Sequence, residues 1–368
     1  MLGMPLTSLY FAVTGIAIFS LGILLPIIFR NRTSHVEAKG LIPSGNRPFT
    51  VLIPAYLEVS SIGPTTRRLR EELTSYAPAG SRVLVVASDL ETAIAAQKAG
   101  AEVLQTPREG KSSAINRGVA VSEGSIVVVT DANCQIQPPN WPELLIQDLE
   151  HSHLVSASKH ESGSPETAYW KYEQFLNKHE HSRATETLAL VGEFLAFRSE
   201  DFSSIPAEGA DDTSIAISFH SRGKRTVIDS RISASEPTPT FRDNIERRIR
   251  ITSQLADTLA HNFGYLLKTP LGRKFLLHKG YRTTIGTIGF WLMIGALVFS
   301  GNFKMAVIVP TILAVCVAIY ATRPKLIPNW VHAASTAISL QFVPLMSVPR
   351  VLRNMFIGRE TGWEKVAR

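Results

Sequence analysis

The stretch Ser125–Asn133, SIVVVTDAN, is a short apolar run that ends on two polar residues. Its β-branched residues predict a buried strand, and Asp131 and Asn133 follow directly after it. Three similar runs precede it, at Thr50–Pro54, Arg82–Ala87 and Glu102–Leu104. Helical patterns lie between these runs, at Thr65–Tyr76, Glu91–Gly100 and Lys111–Val121. The alternation predicts an α/β fold whose parallel sheet is covered by helices on both faces.

Ligands of such a sheet bind beyond the carboxyl ends of its strands, so the residues just after each run are candidate site residues. They are Ala55–Glu58, Ser88-Asp89 and Asp131–Asn133. The sequence contains neither the glycine-rich turn of a dinucleotide-binding domain nor a phosphate loop ending in Gly-Lys-Ser/Thr. Acidic strand ends instead suit a divalent cation or a ribose, and a hard cation suits a diphosphate leaving group.

The two ends of the chain are much more apolar than its middle. Only 19% of the 368 residues are charged, against about 25% in typical soluble domains. Leu6–Phe29 carries no charge and is long enough to cross a bilayer. A cleaved signal peptide would need a basic start, a shorter apolar core and a small-residue cleavage site, which this segment lacks. The sequence therefore predicts an N-terminal transmembrane helix over residues 6–29.

Three further apolar segments follow the middle of the chain. Residues 283–300 and 305–320 are predicted transmembrane helices, separated by the turn Gly301–Lys304. Residues 327–349 contain more polar groups and three prolines. A span there would carry Arg350, Arg353, Arg359 and Lys365 to the outer face, so an interfacial or re-entrant element is preferred, and a transmembrane element stays open. The remaining residues, 350–368, are predicted to be a cytoplasmic tail.

Net charge is +7, and basic residues flank the apolar segments. Those just beyond apolar ends include Arg30, Arg32, Arg273, Lys274, Lys279, Arg282, Arg323 and Lys325. Because positive loops stay cytoplasmic, the middle of the chain is predicted to be cytoplasmic and the protein to reside in the cell membrane. The same charge favours lipid headgroups as a partner over nucleic acid, since zinc-finger spacing and aromatic RNA-binding signatures are absent from the sequence.

Six blocks of the sequence carry a family pattern: Val51–Glu58, Arg108–Gly118, Val129–Asn133, Gly192–Arg198, Ala210–Asp212 and Arg247–Arg250. Their order and spacing resemble those of the inverting family 2 glycosyltransferases, in the cellulose-synthase-like branch. The resemblance spans roughly residues 48–255, and a weaker similarity is present in Gly362–Arg368. It implies a Rossmann-like GT-A domain for nucleotide-diphospho-sugar transfer, which we expect at residues 48–265.

The resemblance also implies roles at the acidic motifs. Asp131 and Asn133 occupy the family's metal motif, usually Asp-x-Asp, and would help hold Mg²⁺ or Mn²⁺ on the donor. Asp211 and Asp212 resemble the acidic pair that contains the catalytic base, with Asp212 expected to be the base. Each motif also has a structural interpretation, because an aspartate after a strand or before a helix can cap a turn.

Further donor-binding residues are implied at matching positions: Pro54, Ala55, Glu58, Asp89, Lys111, Gly192, Arg247 and Arg250. Lys111 opens a helix and would face phosphate, or else be a solvated surface lysine. Leu57 replaces the family's usual Asn. The processive motif Gln-x-x-Arg-Trp is incomplete, because neither its Gln nor its Trp is present around Arg247 and Arg250. A basic helix face on anionic lipid is the alternative there.

These features predict a metal-dependent membrane glycosyltransferase in polysaccharide biosynthesis. It would use a nucleotide-sugar donor and a lipid-linked or glycan acceptor. The family resemblance favours UDP-sugars as donors. Partner membrane subunits are possible. Two alternatives stay open: a processive polysaccharide synthase subunit, and a non-catalytic scaffold that binds nucleotide sugar. The departures at Asn133 and Leu57 favour the scaffold, and the Asp211-Asp212 pair favours the enzyme.

Overall fold

The computed structural model describes residues 5–29, 41, 45–161, 166–177, 184–238, 240–322 and 327–356. These residues form two compact units. One unit, called here the sheet unit, contains all the described strands. The other, the helical unit, contains the N-terminal helix, one short helix from the middle of the chain and the helices after residue 240.

The sheet unit is built on a nine-stranded mixed sheet. Its strands are β1 (Phe49–Ala55), β2 (Arg82–Ala87), β3 (Glu102–Gln105), β4 (Ile126–Thr130), β5 (Gln135–Gln137), β6 (Leu154–Lys159), β7 (Ala184–Glu186), β8 (Phe194–Arg198) and β9 (Thr226–Ser235). The order is β3-β2-β1-β4-β8-β6-β9-β5, and β7 pairs with β9. The predicted parallel arrangement of the first four strands is confirmed. Beyond β4 the sheet becomes mixed, because β8 runs antiparallel to both β4 and β6.

Five α-helices belong to this unit. They are α2 (Val59–Tyr76), α3 (Leu90–Lys98), α4 (Lys111–Ala120), α5 (Trp141–Leu149) and α7 (Asp211–Ser221). The sequence pattern predicted that α2 starts at Thr65, after Pro64, whereas the helix starts six residues earlier, at Val59. The carbonyl of Glu58 accepts hydrogen bonds from the amides of Ser61 and Ile62, and these bonds start the helix ahead of the proline.

The core of the sheet unit contains the apolar side chains of β1, β2 and β4, most of them with no exposed surface. Trp141, on α5, packs edge-to-face against Phe49 and Phe194, with ring centroids 5.9 and 5.7 Å away. Its indole nitrogen donates to Glu72 Oε2 at 2.8 Å, so the one polar group of this buried ring has a partner. Such packing gives the strand ends a rigid support.

The helical unit contains α1 (Leu6–Ile28), α6 (Thr167–Asn177), α8 (Phe241–Lys268), α9 (Pro270–Phe275), α10 (Tyr281–Thr283), α11 (Ile285–Val298), α12 (Phe303–Thr322), α13 (Asn329–Ser339) and α14 (Phe342–Phe356). A π-helical turn, Leu276–Gly280, joins α9 to α10. Four segments of the described residues are long and apolar enough to cross a membrane: Leu6–Ile28, Pro270–Val298, Phe303–Thr322 and Asn329–Phe356. The last one extends through the segment whose prediction was left open between an interfacial, a re-entrant and a transmembrane element.

Helices α1 and α11 pack closely through glycines. A Cβ atom on Gly15 would lie 2.6 Å from the carbonyl oxygen of Gly289 and from the amide nitrogen of Met293. A Cβ atom on Gly289 would in turn lie 2.5 Å from a methyl group of Ile18. Small residues that let backbones approach in this way are typical of helix pairs in membranes.

A buried glutamate organises the cations near the start of the Pro270–Val298 segment. Glu173, on α6, is 5% exposed and accepts from Lys279 at 2.8 Å and from Arg282 at 2.9 Å, with His278 Nε2 at 3.2 Å. Burial favours the neutral acid, but the neighbouring cations outweigh it and hold the pKa of Glu173 well below its usual range. These charges therefore stay paired inside the helical unit.

Several predicted features lie outside the described residues. They are the flanking cations Arg30, Arg32, Arg323 and Lys325, the echo Gly362–Arg368, and residues 357–368 of the predicted tail. Residues 350–356 of that tail belong to α14.

Candidate active site

The parallel strands place three candidate segments at one edge of the sheet. Strands β1, β2 and β4 lie side by side and end at Ala55, Ala87 and Thr130. Because parallel strands share their carboxyl edge, the residues after each strand line the same side of the sheet unit. Asp131 follows β4 directly, and about a fifth of its side chain is exposed.

Lys111 connects this edge to the acidic pair of α7. Its ammonium nitrogen donates to Asp131 Oδ1 at 2.8 Å and lies 3.3 Å from Asp211 Oδ2. Gly110, with φ at +96°, makes the turn that starts α4 at Lys111. Burial disfavours the charge of Lys111, but Asp131 and Asp211 outweigh that effect and raise its pKa above the ordinary value. The structure thus brings Asp131, Lys111 and Asp211 together, although they lie far apart in the sequence.

Asp212 is a partly buried carboxyl group with a raised pKa. Its Oδ1 accepts from the backbone amide of Thr213 at 2.6 Å and from the Thr213 hydroxyl at 3.2 Å. Burial, and next the charge of neighbouring Asp211, raise the pKa of Asp212 to about 6. The residue at the N-cap of α7 is Ala210. The pair therefore occupies the first turn of the helix instead of its capping position.

Gly192 leaves room for the carboxyl group of Asp212. A Cβ atom on Gly192 would lie 3.3 Å from both Cβ and Oδ2 of Asp212. Such a contact is tighter than most real Cβ contacts, so any larger residue would press on the carboxylate. Gly192 therefore lies at the acidic pair, although its donor-binding role stays a prediction.

Asp131 and Asn133 suit a divalent cation that is shared with a ligand. Asn133 Oδ1 is buried and has no hydrogen-bond partner among the described residues, and a buried polar atom of this kind normally needs one. No group of three or more His, Cys, Asp or Glu side chains in the described part of the chain could hold a metal ion. Mg²⁺ and Mn²⁺ accept one carboxylate and one amide oxygen when phosphate oxygens and water complete the shell, so the pair fits.

The remaining strand-end candidates are held by local hydrogen bonds. Asp89 accepts from the amide of Thr92 at 2.8 Å, which caps α3, and from the amide of Leu57 at 2.7 Å. Leu57 has φ at +57°, an unusual conformation for a residue with a side chain. The Asp89 contact supports that turn, so the capping interpretation of Asp89 has direct structural support.

Glu58, Pro54 and Ala55 complete the same corner. Glu58 Oε2 accepts from the Ser61 hydroxyl at 2.6 Å, and the Glu58 amide donates to Thr92 at 2.9 Å. Pro54 and Ala55 are the buried last residues of β1. The donor-binding roles of Asp89, Glu58, Pro54 and Ala55 stay predictions.

Arg247 and Arg250 lie on α8, which belongs to the helical unit. Their predicted contact with the donor is therefore not tested by the geometry of the sheet unit. Between them, Arg248 forms a two-pronged ion pair with Glu166 and stacks on Tyr169 at 4.5 Å. Arg248 is thus paired with a buried glutamate within the helical unit.

Sequence reasoning missed one group of buried charges in the sheet unit. Lys159, at the end of β6, lies between Glu193 and Glu236, and its side chain is only 1% exposed. No periodic pattern links the three residues, since Lys159 and Glu193 are 34 positions apart. The available signal is a lysine that ends an otherwise buried strand.

Comparison with known proteins finds one family model that matches part of the chain. Residues 50–206 match the family described as "Glycosyl transferase family 2". This range contains β4, Lys111, Asp131, Gly192 and all of β1 except Phe49, whereas Asp211 and Asp212 lie beyond it. Residues 50–206, most of which lie in the sheet unit, are therefore similar to a glycosyl transferase family 2 domain.

An uncharacterized glycosyltransferase of Mycobacterium tuberculosis (strain ATCC 25618 / H37Rv) is 30% identical to this chain over 112 residues. The match covers 30% of this chain and 48% of that protein, so the chain spans about half the length of this relative.

Among solved structures, a mannosyltransferase from Pyrobaculum calidifontis, in complex with GDP-Man and Mn²⁺, superposes with a TM-score of 0.67. The superposition covers 95% of this chain and 100% of that one, at 19% sequence identity. At this identity the likeness shows the fold alone. The predicted class, an α/β GT-A fold accompanied by apolar helices long enough to span a membrane, is confirmed.

Proposed function

We propose that this chain is a membrane-anchored, inverting glycosyltransferase that moves one sugar from a nucleotide diphosphate donor to a hydroxyl acceptor. The observation that carries the proposal is the position of Lys111, whose ammonium group contacts Asp131 at 2.8 Å and Asp211 at 3.3 Å. One cation between two acidic motifs means that a donor bound at Asp131 and a base on α7 belong to one site.

Asp212 is the proposed general base. An acceptor hydroxyl becomes a good nucleophile only when a positioned carboxylate removes its proton, and this assistance contributes about 10² to 10⁴ in rate. In the proposed step the proton passes to Asp212, and the acceptor oxygen forms a bond to the anomeric carbon. The bond from that carbon to the diphosphate oxygen breaks, and the nucleoside diphosphate leaves. A pKa of about 6 keeps most Asp212 side chains ionised at neutral pH.

Lys111, Asp131 and Asn133 are the proposed groups at the diphosphate. Asp131 and Asn133 would hold Mg²⁺ or Mn²⁺, which when bound neutralises charge on the leaving diphosphate. The GDP-Man and Mn²⁺ in the structure of the P. calidifontis mannosyltransferase support a nucleotide-sugar donor and this choice of metal. Lys111 adds a fixed positive charge at the first turn of α4, where the helix N-terminus also favours phosphate.

The membrane helices support an acceptor that is itself at a membrane. Four segments of the described chain are apolar and long enough to span a bilayer, and the sequence places positive charge at their ends. We therefore propose a cytoplasmic sheet unit that acts on a lipid-linked or glycan acceptor. Addition of one or a few sugars is favoured over processive synthesis, because the Gln and Trp of the processive motif are missing.

The test uses purified full-length protein in detergent with a panel of donors that includes UDP-glucose and GDP-mannose. Binding is scored by thermal shift with and without Mn²⁺, and turnover by release of nucleoside diphosphate. We expect at least one donor to stabilise the protein only when Mn²⁺ is present, and EDTA to abolish turnover.

Two variants separate catalysis from binding. Asp212→Asn should lose at least about 10²-fold in turnover, the lower end of general-base assistance, and keep the Mn²⁺-dependent thermal shift. Asp131→Asn should lose the Mn²⁺-dependent part of that shift. Wild-type turnover in Asp212→Asn would refute the assignment of Asp212 as the general base. A protein that binds donors without turning any over would instead support the alternative of a non-catalytic scaffold.

A further inference from the structure

Three cations meet at one tyrosine ring in the helical unit. The centre of the Tyr169 ring, on α6, lies 4.5 Å from Cζ of Arg248, 5.1 Å from Cζ of Arg282 and 5.8 Å from Nζ of Lys279. The Tyr169 hydroxyl accepts from Lys279 at 3.3 Å and from Arg282 at 3.1 Å. We call these four residues the cation cluster. Because like charges repel at such distances, the cluster needs anions beside it, and Glu166 supplies one to Arg248.

The other two cations share a single carboxylate. Among the residues that the structure describes, Glu173 is the one acidic side chain within ion-pair distance of Lys279, at 2.8 Å, or of Arg282, at 2.9 Å. Two cations and one carboxylate leave a net charge of +1. His278, the third neighbour of Glu173, adds to this positive charge whenever it is protonated. A further anion at Lys279 and Arg282 would therefore be stabilising.

The same two cations lie at the surface and next to an apolar segment. The side chains of Lys279 and Arg282 are each 18% exposed, and the uncharged run Thr283–Ser300 follows them directly. On the adjoining helix α11, Ile285 and Ile288 are 49 and 65% exposed. Cations at the end of an apolar segment lie at the level of lipid headgroups when that segment spans a bilayer, and exposed isoleucines beyond them face the acyl chains.

We propose that the cation cluster binds the phosphate group of an anionic phospholipid, with Lys279 and Arg282 as its direct partners and the lipid's acyl chains against Ile285 and Ile288. The single negative charge of a phosphatidylglycerol headgroup balances the net charge of the cluster. Arginine and lysine are the side chains with which proteins hold phosphate, and tyrosine is enriched at the same headgroup level. The inference rests on the membrane location in the proposed function and not on sugar transfer.

The test measures lipid binding to the full-length protein purified in dodecyl maltoside. The probes are phosphatidylglycerol, phosphatidylcholine and inorganic phosphate. Bound lipid is counted by native mass spectrometry, and stabilisation is read as the rise in Tm. We expect phosphatidylglycerol to bind about tenfold or more tightly than phosphatidylcholine, since each basic residue at a headgroup contributes about fivefold. Equal affinities for the two lipids, or an equal rise in Tm with inorganic phosphate, would overturn the proposal.

A matched pair of lysine variants locates the site. Lys279→Gln removes one direct partner, so it should weaken phosphatidylglycerol binding by about fivefold. Lys268→Gln removes an exposed lysine at the end of α8 in the same unit and should bind this lipid as wild type does. Lys279→Arg keeps the charge and should restore most of the affinity. Unchanged affinity in Lys279→Gln, or an equal loss in Lys268→Gln, refutes the site.

Two measurements keep the outcome clear. Lys279 also pairs with Glu173, so Lys279→Gln may unfold; the comparison of the two lipids in wild type then tests the proposal without any variant. A carbonate wash of isolated membranes tests the membrane location, and we expect the chain to be retained. Release by carbonate would overturn the membrane location together with the lipid site. A retained chain that binds both lipids equally would overturn the site alone.

Discussion

Asp212→Asn should make the folded protein more stable at neutral pH, even though it abolishes the proposed transfer. Burial and the charge of Asp211 raise the pKa of Asp212 from an ordinary value of 3.8 to about 6. The folded state thus binds a proton more tightly than the unfolded state does. For an acid with a raised pKa, the stability falls as the pH rises from about 4 to about 6, and it stays low above that window.

The size of the effect follows from the two pKa values. The difference is about two units, and each unit corresponds to about 1.4 kcal/mol, so the ionised carboxylate destabilises the folded state by up to about 3 kcal/mol. Asparagine has no charge and keeps an oxygen that can accept from the Thr213 amide. For a unit of this size, about 3 kcal/mol corresponds to a rise in Tm of roughly 6–12 °C, and a smaller rise is expected where water screens the pair.

The assay is thermal unfolding of wild type and Asp212→Asn in the same detergent from pH 4 to pH 8. The two proteins should have similar Tm values near pH 4. As the pH rises through 6, the Tm of the variant should increasingly exceed that of wild type. Glu123→Gln, a change at an exposed position in a turn of the sheet unit, controls for the loss of any carboxylate. An Asp212→Asn protein that is no more stable than wild type at pH 8, or one whose gain is the same at pH 4, would refute the reasoning.

Two further predictions concern close packing. Gly15→Ala should destabilise the helical unit by about 1–3 kcal/mol, because its Cβ would lie 2.6 Å from backbone atoms of α11. Gly295→Ala, on α11 itself, has open space around its Cβ and should be neutral or stabilising by up to about 1 kcal/mol. Thermal unfolding of both variants tests whether the close contact at Gly15 matters, and equal Tm values for the two would contradict the packing argument. Gly192→Ala places a Cβ 3.3 Å from Asp212 Oδ2, so turnover should fall by about 10-fold or more, as expected for a displaced catalytic group, with little change in Tm. Wild-type turnover in Gly192→Ala, measured by nucleoside diphosphate release, would show that the carboxylate tolerates the contact.

The sequence alone predicted the architecture, because architecture depends on local patterns. Short β-branched runs alternating with helical segments predicted the parallel strands β1 to β4, and long uncharged segments predicted the apolar helices. The polar residues after each strand followed from the same pattern, since parallel strands end at one edge. The mixed second half of the sheet was not predicted, because antiparallel pairing of β8 with β4 is a long-range contact without a local signal.

Only the tertiary structure decided which charges meet. Asp131, Lys111 and Asp211 lie after β4, at the start of α4 and at the start of α7, and their contact exists only once the fold has brought these three positions together. The raised pKa of Asp212 depends first on its burial, and the contact of Lys159 with Glu193 joins residues far apart in the sequence, so neither could be predicted from a local pattern. A charge interacts through space and the surrounding medium, so its environment is fixed only when the chain has folded.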